Sequence, residues 1–214
     1  YPYIDGESLD ETLSVDLLTQ VGRLVARYDL VVSDISWEGR EQLRRRLIFD
    51  GKSYQLFEKI VEKLSHKDDL DDVERLFIQT REDIDNLNIR FSTGNIISRY
   101  EALPKIPCHG DIFSKNIITK DGQIAGLVDF GGICIESRIF DLQSALDNFC
   151  AIDGEIDYNP TKIVMQAYLS VTPLSKEELS LIPMVMFYDV FTSVLWILEE
   201  RSKPNSRIPD TEAV

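Results

Sequence analysis

The sequence contains few of the residues that form disulfide frameworks or zinc sites. Its three cysteines, Cys108, Cys134 and Cys150, are an odd number and lack Cys-x-x-Cys spacing. A disulfide-stabilised fold is therefore not expected, and a reducing cytoplasm is the favoured compartment. Because the chain has only two histidines, His66 and His109, a zinc site built from cysteine and histidine is not expected either.

Positive charge and long apolar runs are also scarce. The chain has 23 lysines and arginines against 37 aspartates and glutamates, which gives a formal charge of −14. Such a surface repels phosphate backbones and anionic lipid headgroups, so neither nucleic acid nor a membrane is expected as the main partner. No signal peptide is visible, and the most apolar stretch, 181–198, is interrupted by Pro183, Tyr188 and Asp189.

The apolar residues that are present predict a helical body. The chain has 214 residues, of which 43% are hydrophobic, enough for one globular domain. Periodicity and capping residues predict helices over 14–31, 53–65, 68–91, 138–150, 159–170 and 175–200. Ser14 is the predicted cap of the first helix, Asn159-Pro160 begins the fifth, and a capping box at Ser175 opens the last.

A short β-rich segment interrupts the helices. Residues 116–119 and 123–130 are predicted strands, and Asp121-Gly122 between them is a hairpin turn signal. The organisation is therefore a small functional sheet on a helical body.

The run Arg44-Arg45-Arg46 is expected to lie on a solvated face.

Three polar residues stand at fixed offsets around this hairpin. Asn116 follows Asp111 by five residues, and Asp129 follows thirteen residues later. Mg²⁺ binds oxygen ligands from one or two protein carboxylates and commonly from substrate phosphates. Two of these side chains could hold the ion while a further carboxylate deprotonates a hydroxyl nucleophile, as phosphoryl transfer requires.

The pattern His109-Gly110-Asp111-x₄-Asn116, followed by Asp129-Phe130-Gly131, resembles the catalytic and metal loops of the aminoglycoside phosphotransferase/choline kinase family. The resemblance implies that Asp111 is the catalytic base and that Asn116 and Asp129 hold Mg²⁺. Asp141, in a matching position beyond the metal loop, and His109 would brace the catalytic loop. ATP would be the phosphoryl donor.

Each of these residues also has a structural explanation. A loop aspartate or asparagine can cap a turn, and His109 is expected to pack and hydrogen-bond rather than act as a base. Their combination, at the spacing found in this phosphotransferase family, favours a functional site. Asp129 ends an apolar strand, where an unpaired carboxylate would be costly, and a metal explains it better.

The resemblance extends towards both ends of the chain and implies its layout. Residues 1–9 resemble the family's hinge, with Pro2, Tyr3 and Ile4 facing adenine. The expected fold is α+β and mostly α, the C-terminal lobe of a protein-kinase-like fold. Its parts are a hinge segment at 1–10, a lobe at 11–203 with catalytic loop 107–116 and metal loop 126–132, and a frayed tail at 204–214. No phosphate-gripping glycine loop or strand lysine is present, so an N-terminal lobe is expected before Tyr1.

Weaker motifs, such as Asp153-Gly154, resemble the homoserine kinase type II subgroup. They imply a kinase acting on the hydroxyl of a small amine-bearing metabolite, homoserine first and an aminoglycoside or amino alcohol next. The candidate substrate contacts are Glu136, Asp147, Asn148, Tyr188 and Trp196. A solvated helix face explains the first three equally well, and core packing is favoured for the last two.

Two other functions stay open. Without the nucleotide-gripping lobe, the chain would be a catalytically silent binding or scaffolding lobe. A metal-dependent phosphohydrolase could use Asp111 and Asp129. The sequence does not indicate the oligomeric state.

Overall fold

Helices dominate the described part of the chain, with short strands between them. The computed structural model describes residues 3–9, 13–35, 43–47, 51–93, 95–152 and 155–203. The helices are α1 (Val15–Ser33), α2 (Lys52–Ser65), α3 (Asp72–Gln79), α4 (Arg81–Thr93), α5 (Ile96–Glu101), α6 (Ile139–Cys150), α7 (Tyr158–Leu169) and α8 (Lys176–Arg201). The strands are β1 (Glu7–Ser8), β2 (Ile106–Cys108), β3 (Ile117–Lys120), β4 (Gln123–Leu127), β5 (Cys134–Glu136), β6 (Ala151–Ile152) and β7 (Glu155–Ile156). The predicted class, α+β and mostly α, is confirmed.

The chain divides into two compact units. The first contains residues 1–46 and 102–186, and the second contains residues 47–101 and 187–214. The sequence predicts a single lobe over 11–203. In the structure, residues of that stretch belong to both units. The tail predicted to fray, 204–214, lies outside the described residues.

The first unit is built around α1, which packs against α6 and α7. Val21 and Val25 on its inner face are fully buried. Gly22 lies where α1 meets α7, and a Cβ at this position would lie 2.4 Å from the carbonyl oxygen of Val164. The two helix backbones can approach this closely because residue 22 has no side chain.

The functional hairpin belongs to a three-stranded sheet in the order β1-β3-β4. Asp121 and Gly122 both have positive φ, 52° and 73°, as a two-residue hairpin turn of the predicted kind requires. β4 ends at Leu127, three residues earlier than predicted, because the backbone turns into the left-handed region at Asp129. β2 pairs with β5 in a separate antiparallel pair.

The second unit has its own apolar core, formed by α2, α3, α4 and the end of α8. Phe57 is fully buried there, and its ring lies 5.3 Å from Phe77 and 5.7 Å from Phe191. The helix predicted over 68–91 is in fact two helices. α3 begins with a capping box between Asp71 and Glu74, and the chain turns at Thr80 before α4.

Most predicted helix caps are present. Ser14 accepts a hydrogen bond from the Leu17 N–H, and Ser175 forms the predicted capping box with Glu178. The prediction for α7 was wrong: Asp157 rather than Asn159 is the cap, because its carboxylate accepts from the backbone N–H two residues on, at 2.7 Å.

α8 is long and apolar enough to cross a membrane by length and composition alone. Of its most apolar window, 39% is buried inside the structure. Core helices of globular proteins pass the same test, so this property is weak evidence for a membrane segment.

Candidate active site

The loop after β2 is held by a buried carboxylate from α6. The backbone N–H groups of His109 and Gly110 donate to the two carboxylate oxygens of Asp141, at 2.6 and 2.9 Å. Asp141 is fully buried in the first turn of α6. Burial raises the pKa of Asp141 to about 6, although both N–H donors favour its charged form. The loop that contains Asp111 is therefore anchored at its start.

Asp111 and Asn116 are in direct contact. The Asn116 amide nitrogen donates to the Asp111 carboxylate at 3.0 Å and to the Asp111 carbonyl at 2.9 Å. A 3-10 turn over Ser114–Asn116 places the amide there. Asp111 is exposed, whereas Asn116 is buried. The buried Asn116 amide thus orients the solvent-facing Asp111 carboxylate. Both hydrogen bonds use the amide nitrogen of Asn116 rather than its oxygen.

Asp129 occupies a strained position at the end of the hairpin. Its φ is 61°, in the left-handed region, and its carboxylate accepts a hydrogen bond from the Gly131 N–H at 3.3 Å. Backbone conformations of this kind concentrate at functional sites. The expectation that an unpaired Asp129 carboxylate would be costly to desolvate was wrong, however. Asp129 is exposed and lies outside β4.

His109 joins the catalytic and metal loops. Its Nε2 lies 2.9 Å from the Val128 carbonyl oxygen, so that nitrogen carries the proton. Burial lowers the pKa of His109, which keeps the ring neutral. A Cβ on Gly110, whose φ is +80°, would lie 2.2 Å from the carbonyl oxygen of Gly132. The two loops therefore touch through backbone, and a glycine is required at the contact.

Tyr28 is a site neighbour that the sequence pattern does not identify. Its ring lies 6.2 Å from the rings of both His109 and Phe130, and those two rings are 4.8 Å apart. Tyr28 follows the helical spacing of the apolar residues of α1. That spacing is the only feature of the sequence that indicates its packing. Packing against α1 thus supports both loops.

Glu136 does not face a substrate. Its side chain is fully buried, and its carboxylate binds the Arg45 guanidinium at 3.0 and 3.1 Å and the Arg46 N–H at 2.8 Å. The expected solvated face holds for Arg44 and Arg46, which are exposed, but not for Arg45, whose guanidinium is paired with Glu136. A buried carboxylate needs such partners, and a segment far away in sequence supplies them.

The predicted hinge lies beside the hairpin. Ile4 contacts β4 at Gly126, and Tyr3 is 86% exposed. Pro2 lies outside the described residues. β1 follows this segment and pairs with β3, which places the segment on the same sheet as the metal loop.

The remaining candidate substrate contacts are divided between the two units. Asn148 is exposed, and its amide donates to the Ser144 carbonyl at 2.9 Å, whereas Asp147 is half-buried. Tyr188 and Trp196 belong to the second unit. Trp196 is 56% exposed, so the expected core packing was wrong for this residue.

The two loops carry oxygen donors of the kind that bind a divalent metal ion together with a nucleotide. Within the described ranges, no group of three or more His, Cys, Asp or Glu side chains could hold a metal ion by itself. Mg²⁺ in phosphotransferases takes one or two protein carboxylates and completes its shell with substrate phosphates and water. The amide oxygen of Asn116 and the exposed carboxylate of Asp129 are donors of that kind.

Similarity to a known family covers most of the chain. The model of the phosphotransferase enzyme family, APH, matches residues 1–167. The homoserine kinase of Chelativorans sp. (strain BNC1) is 33% identical over 85 residues, which make up 39% of this chain and 26% of that enzyme. The match thus spans about a quarter of the relative's length.

Solved structures share the fold. The aminoglycoside phosphotransferase from Alicyclobacillus acidocaldarius subsp. acidocaldarius DSM 446 is 15% identical, with a TM-score of 0.64 over 93% of this chain and 60% of that chain. Amicoumacin kinase hAmiN, in complex with AMP-PNP, Ca²⁺ and Ami, is 13% identical, with a TM-score of 0.59 over 93% of this chain and 56% of that one. At these identities the likeness concerns the fold alone.

Proposed function

The chain belongs to the phosphotransferase enzyme family, and we propose that it carries the catalytic and metal loops of an ATP- and Mg²⁺-dependent kinase. The observation that carries the proposal is the contact between Asp111 and Asn116 in a loop anchored by Asp141. This arrangement holds an exposed carboxylate in place beside a buried amide. Family membership and the shared fold support it.

In this proposal the protein residues position the hydroxyl acceptor and the metal-bound nucleotide. Asp111 accepts the proton of the acceptor hydroxyl through the oxygen that Asn116 does not bind. Asn116 and Asp129 would hold Mg²⁺, which when bound would supply positive charge against the phosphates of the nucleotide. Asp141 and His109 are positioning residues, since they fix the two loops through backbone contacts.

The proposed acceptor is a small amine-bearing metabolite, with homoserine first. The homoserine kinase match supports this choice, and the charge of −14 suits a cationic or zwitterionic acceptor better than an anion. An aminoglycoside or an amino alcohol comes next, as names among the fold neighbours suggest. Asp147 and Asn148 on α6 remain the proposed substrate contacts of the first unit.

The proposed layout follows the same family. Residues 1–10 are the hinge to a nucleotide-binding lobe and residues 11–203 form the C-terminal lobe, with Tyr3 and Ile4 near adenine. The reduced cysteines support a cytoplasmic protein.

An acceptor panel tests the proposal. The full chain encoded by the gene is incubated with Mg·ATP and homoserine, kanamycin or ethanolamine, and ADP formation is measured. We expect turnover with homoserine to exceed that with the other two. Turnover with kanamycin alone would overturn the choice of homoserine. Phosphate release without any acceptor would indicate a hydrolase, and absence of both turnover and a Mg·ATP-dependent thermal shift would indicate a silent binding lobe.

The substitution Asp111→Asn tests the base. We expect turnover to fall about 10²–10⁴-fold with Mg·ATP binding nearly unchanged, because the variant keeps the shape of the carboxylate but cannot accept the proton. Asp121→Asn, in the exposed hairpin turn, is the matched control and should keep full turnover. Normal activity of Asp111→Asn would exclude Asp111 as the base.

A further inference from the structure

A cavity of about 590 Å³ within the second unit contains none of the residues assigned to phosphoryl transfer. It lies between α2, the start of α3 and the end of α8. Its volume falls in the range of small-molecule sites, about 300–1,000 Å³. The lining residues fall within 56–67, at Glu74 and within 198–202.

The cavity has an apolar floor. Leu64 and Leu198 are buried and belong to the apolar core of the unit, while Leu56 and Ile60 are half-buried beside them. Because these side chains are fixed by the core, they offer a hydrocarbon ligand a preformed surface.

One wall of the cavity is held rigid by ion pairs. Glu74 forms the capping box of α3 with Asp71 and binds the Lys67 ammonium at 2.6 Å. Asp71 in turn pairs with the Arg201 guanidinium from the end of α8. These contacts tie α3 and the end of α8 to the loop that follows α2.

Two further cations line the cavity. Lys59 and Lys63 are one helical turn apart on α2, and both are exposed. Within the part of the chain that the structure describes, neither ammonium makes a hydrogen bond or ion pair. Of the carboxylates in the lining, Glu74 is occupied by Lys67, which leaves Glu199. The lining thus carries a local excess of positive charge on a chain whose net charge is −14.

We propose that this cavity is a second ligand site that binds small organic anions with an apolar body, such as medium-chain carboxylates. The hydrocarbon part lies on the leucine and isoleucine floor, and the anionic group faces Lys59 and Lys63. Apolar contact provides affinity, and the paired ammonium groups select the sign of the charge.

Isothermal titration of the full chain with octanoate, octylammonium and inorganic phosphate tests the site. We expect octanoate to bind at least tenfold more tightly than either of the other two, since each of these lacks one half of the recognised chemistry. Equal binding of octanoate and octylammonium would overturn the proposal, because affinity would then not depend on the charge.

Charge variants locate the site. The double substitution Lys59→Gln and Lys63→Gln should weaken octanoate binding at least fivefold. Lys162→Gln on α7, an exposed lysine of the first unit, is the control and should leave binding unchanged. Unchanged octanoate affinity in the double variant would place the ligand elsewhere and refute the proposal. Kinase turnover is measured in parallel, so failure of this site is distinguished from failure of the proposed activity.

Discussion

Three aspartates of the first unit differ in environment, and the difference agrees with the roles proposed for them. Asp111 and Asp129 are exposed, which leaves their oxygens accessible to a substrate or metal. Asp141 is fully buried, and its two oxygens are bonded to backbone N–H groups. An exposed carboxylate retains its charge at little cost, whereas a buried one must be stabilised by donors.

The charge of Asp129 can be tested without disturbing its backbone. Asp129→Asn keeps a side chain that tolerates left-handed φ and can still cap Gly131, but it removes the negative charge. We expect the Mg²⁺-dependent affinity for ATP to fall at least tenfold, as measured by titration of Mg²⁺ at fixed ATP. Asp121→Asn makes the same change at φ 52° and should have no effect. Equal Mg²⁺ dependence in both variants would rule out Asp129 as a metal ligand.

Asp141 predicts a pH dependence of stability. Because its pKa in the folded state, about 6, lies above the ordinary value of 3.8, the folded state binds this proton more tightly than the unfolded state. The resulting stabilisation is complete below about pH 4 and is lost as the pH rises through 6, a change of about 3 kcal/mol.

Urea denaturation of the wild type and Asp141→Asn at several pH values between 4 and 7 measures this change. The difference in free energy of unfolding, wild type minus variant, should decrease as the pH rises. Other titrating groups are common to both proteins and cancel. A difference that increases with pH would mean that the backbone donors outweigh burial and lower this pKa.

At the scale of elements, the loops that hold Asp111 and Asp129 depend on contacts with helices outside them. α6 supplies Asp141, and α1 supplies Tyr28, whose ring packs beside His109 and Phe130. α1 is itself positioned by its close approach to α7 at Gly22. The positions of these loops therefore depend on helix packing within the first unit.

Gly22→Ala tests this packing. A methyl group would meet the Val164 carbonyl oxygen at 2.4 Å, so α1 and α7 must separate. We expect the free energy of unfolding to fall by about 1–3 kcal/mol, as for other overpacked cores. Arg23→Ala, at the next, exposed position of α1, should change it by less than about 0.5 kcal/mol. Chemical denaturation of both variants measures the difference, and a stabilised Gly22→Ala protein would contradict the close approach.

At the scale of the whole molecule, the dominant property is the net charge of −14. Uncompensated carboxylates repel one another across the surface, and this repulsion destabilises the folded state at low ionic strength. Salt at 0.1 M or more screens it over roughly 10 Å. Stability should therefore depend on salt at neutral pH.

We expect the melting temperature at pH 7.5 to rise by about 2–4 °C when NaCl is increased from 20 to 300 mM, equivalent to roughly 1 kcal/mol. The same salt change at pH 5, closer to the sequence pI of about 4.6, should have a smaller effect. Thermal denaturation at both pH values measures this. A fall in melting temperature with salt at pH 7.5 would show that attractive ion pairs, such as Arg138 with Glu178, outweigh the repulsion.

The sequence by itself determined those features that depend on near neighbours. The hairpin turn at Asp121-Gly122 and the caps at Ser14 and Ser175 require only residues a few positions away. The spacing of Asp111 and Asn116 likewise brings them together within one loop. Local sequence specifies such contacts because no distant segment must be placed to form them.

Only the tertiary structure decided which distant side chains meet. Asp141 reaches the backbone of Gly110 from 31 residues away, and Arg45 binds Glu136 across 91 positions, which removed Glu136 from the substrate contacts. The exposure of Asp129 also follows from how the chain packs. Pairings of this kind depend on the relative placement of whole helices and strands, and a periodic sequence pattern identifies each buried face without identifying what it packs against.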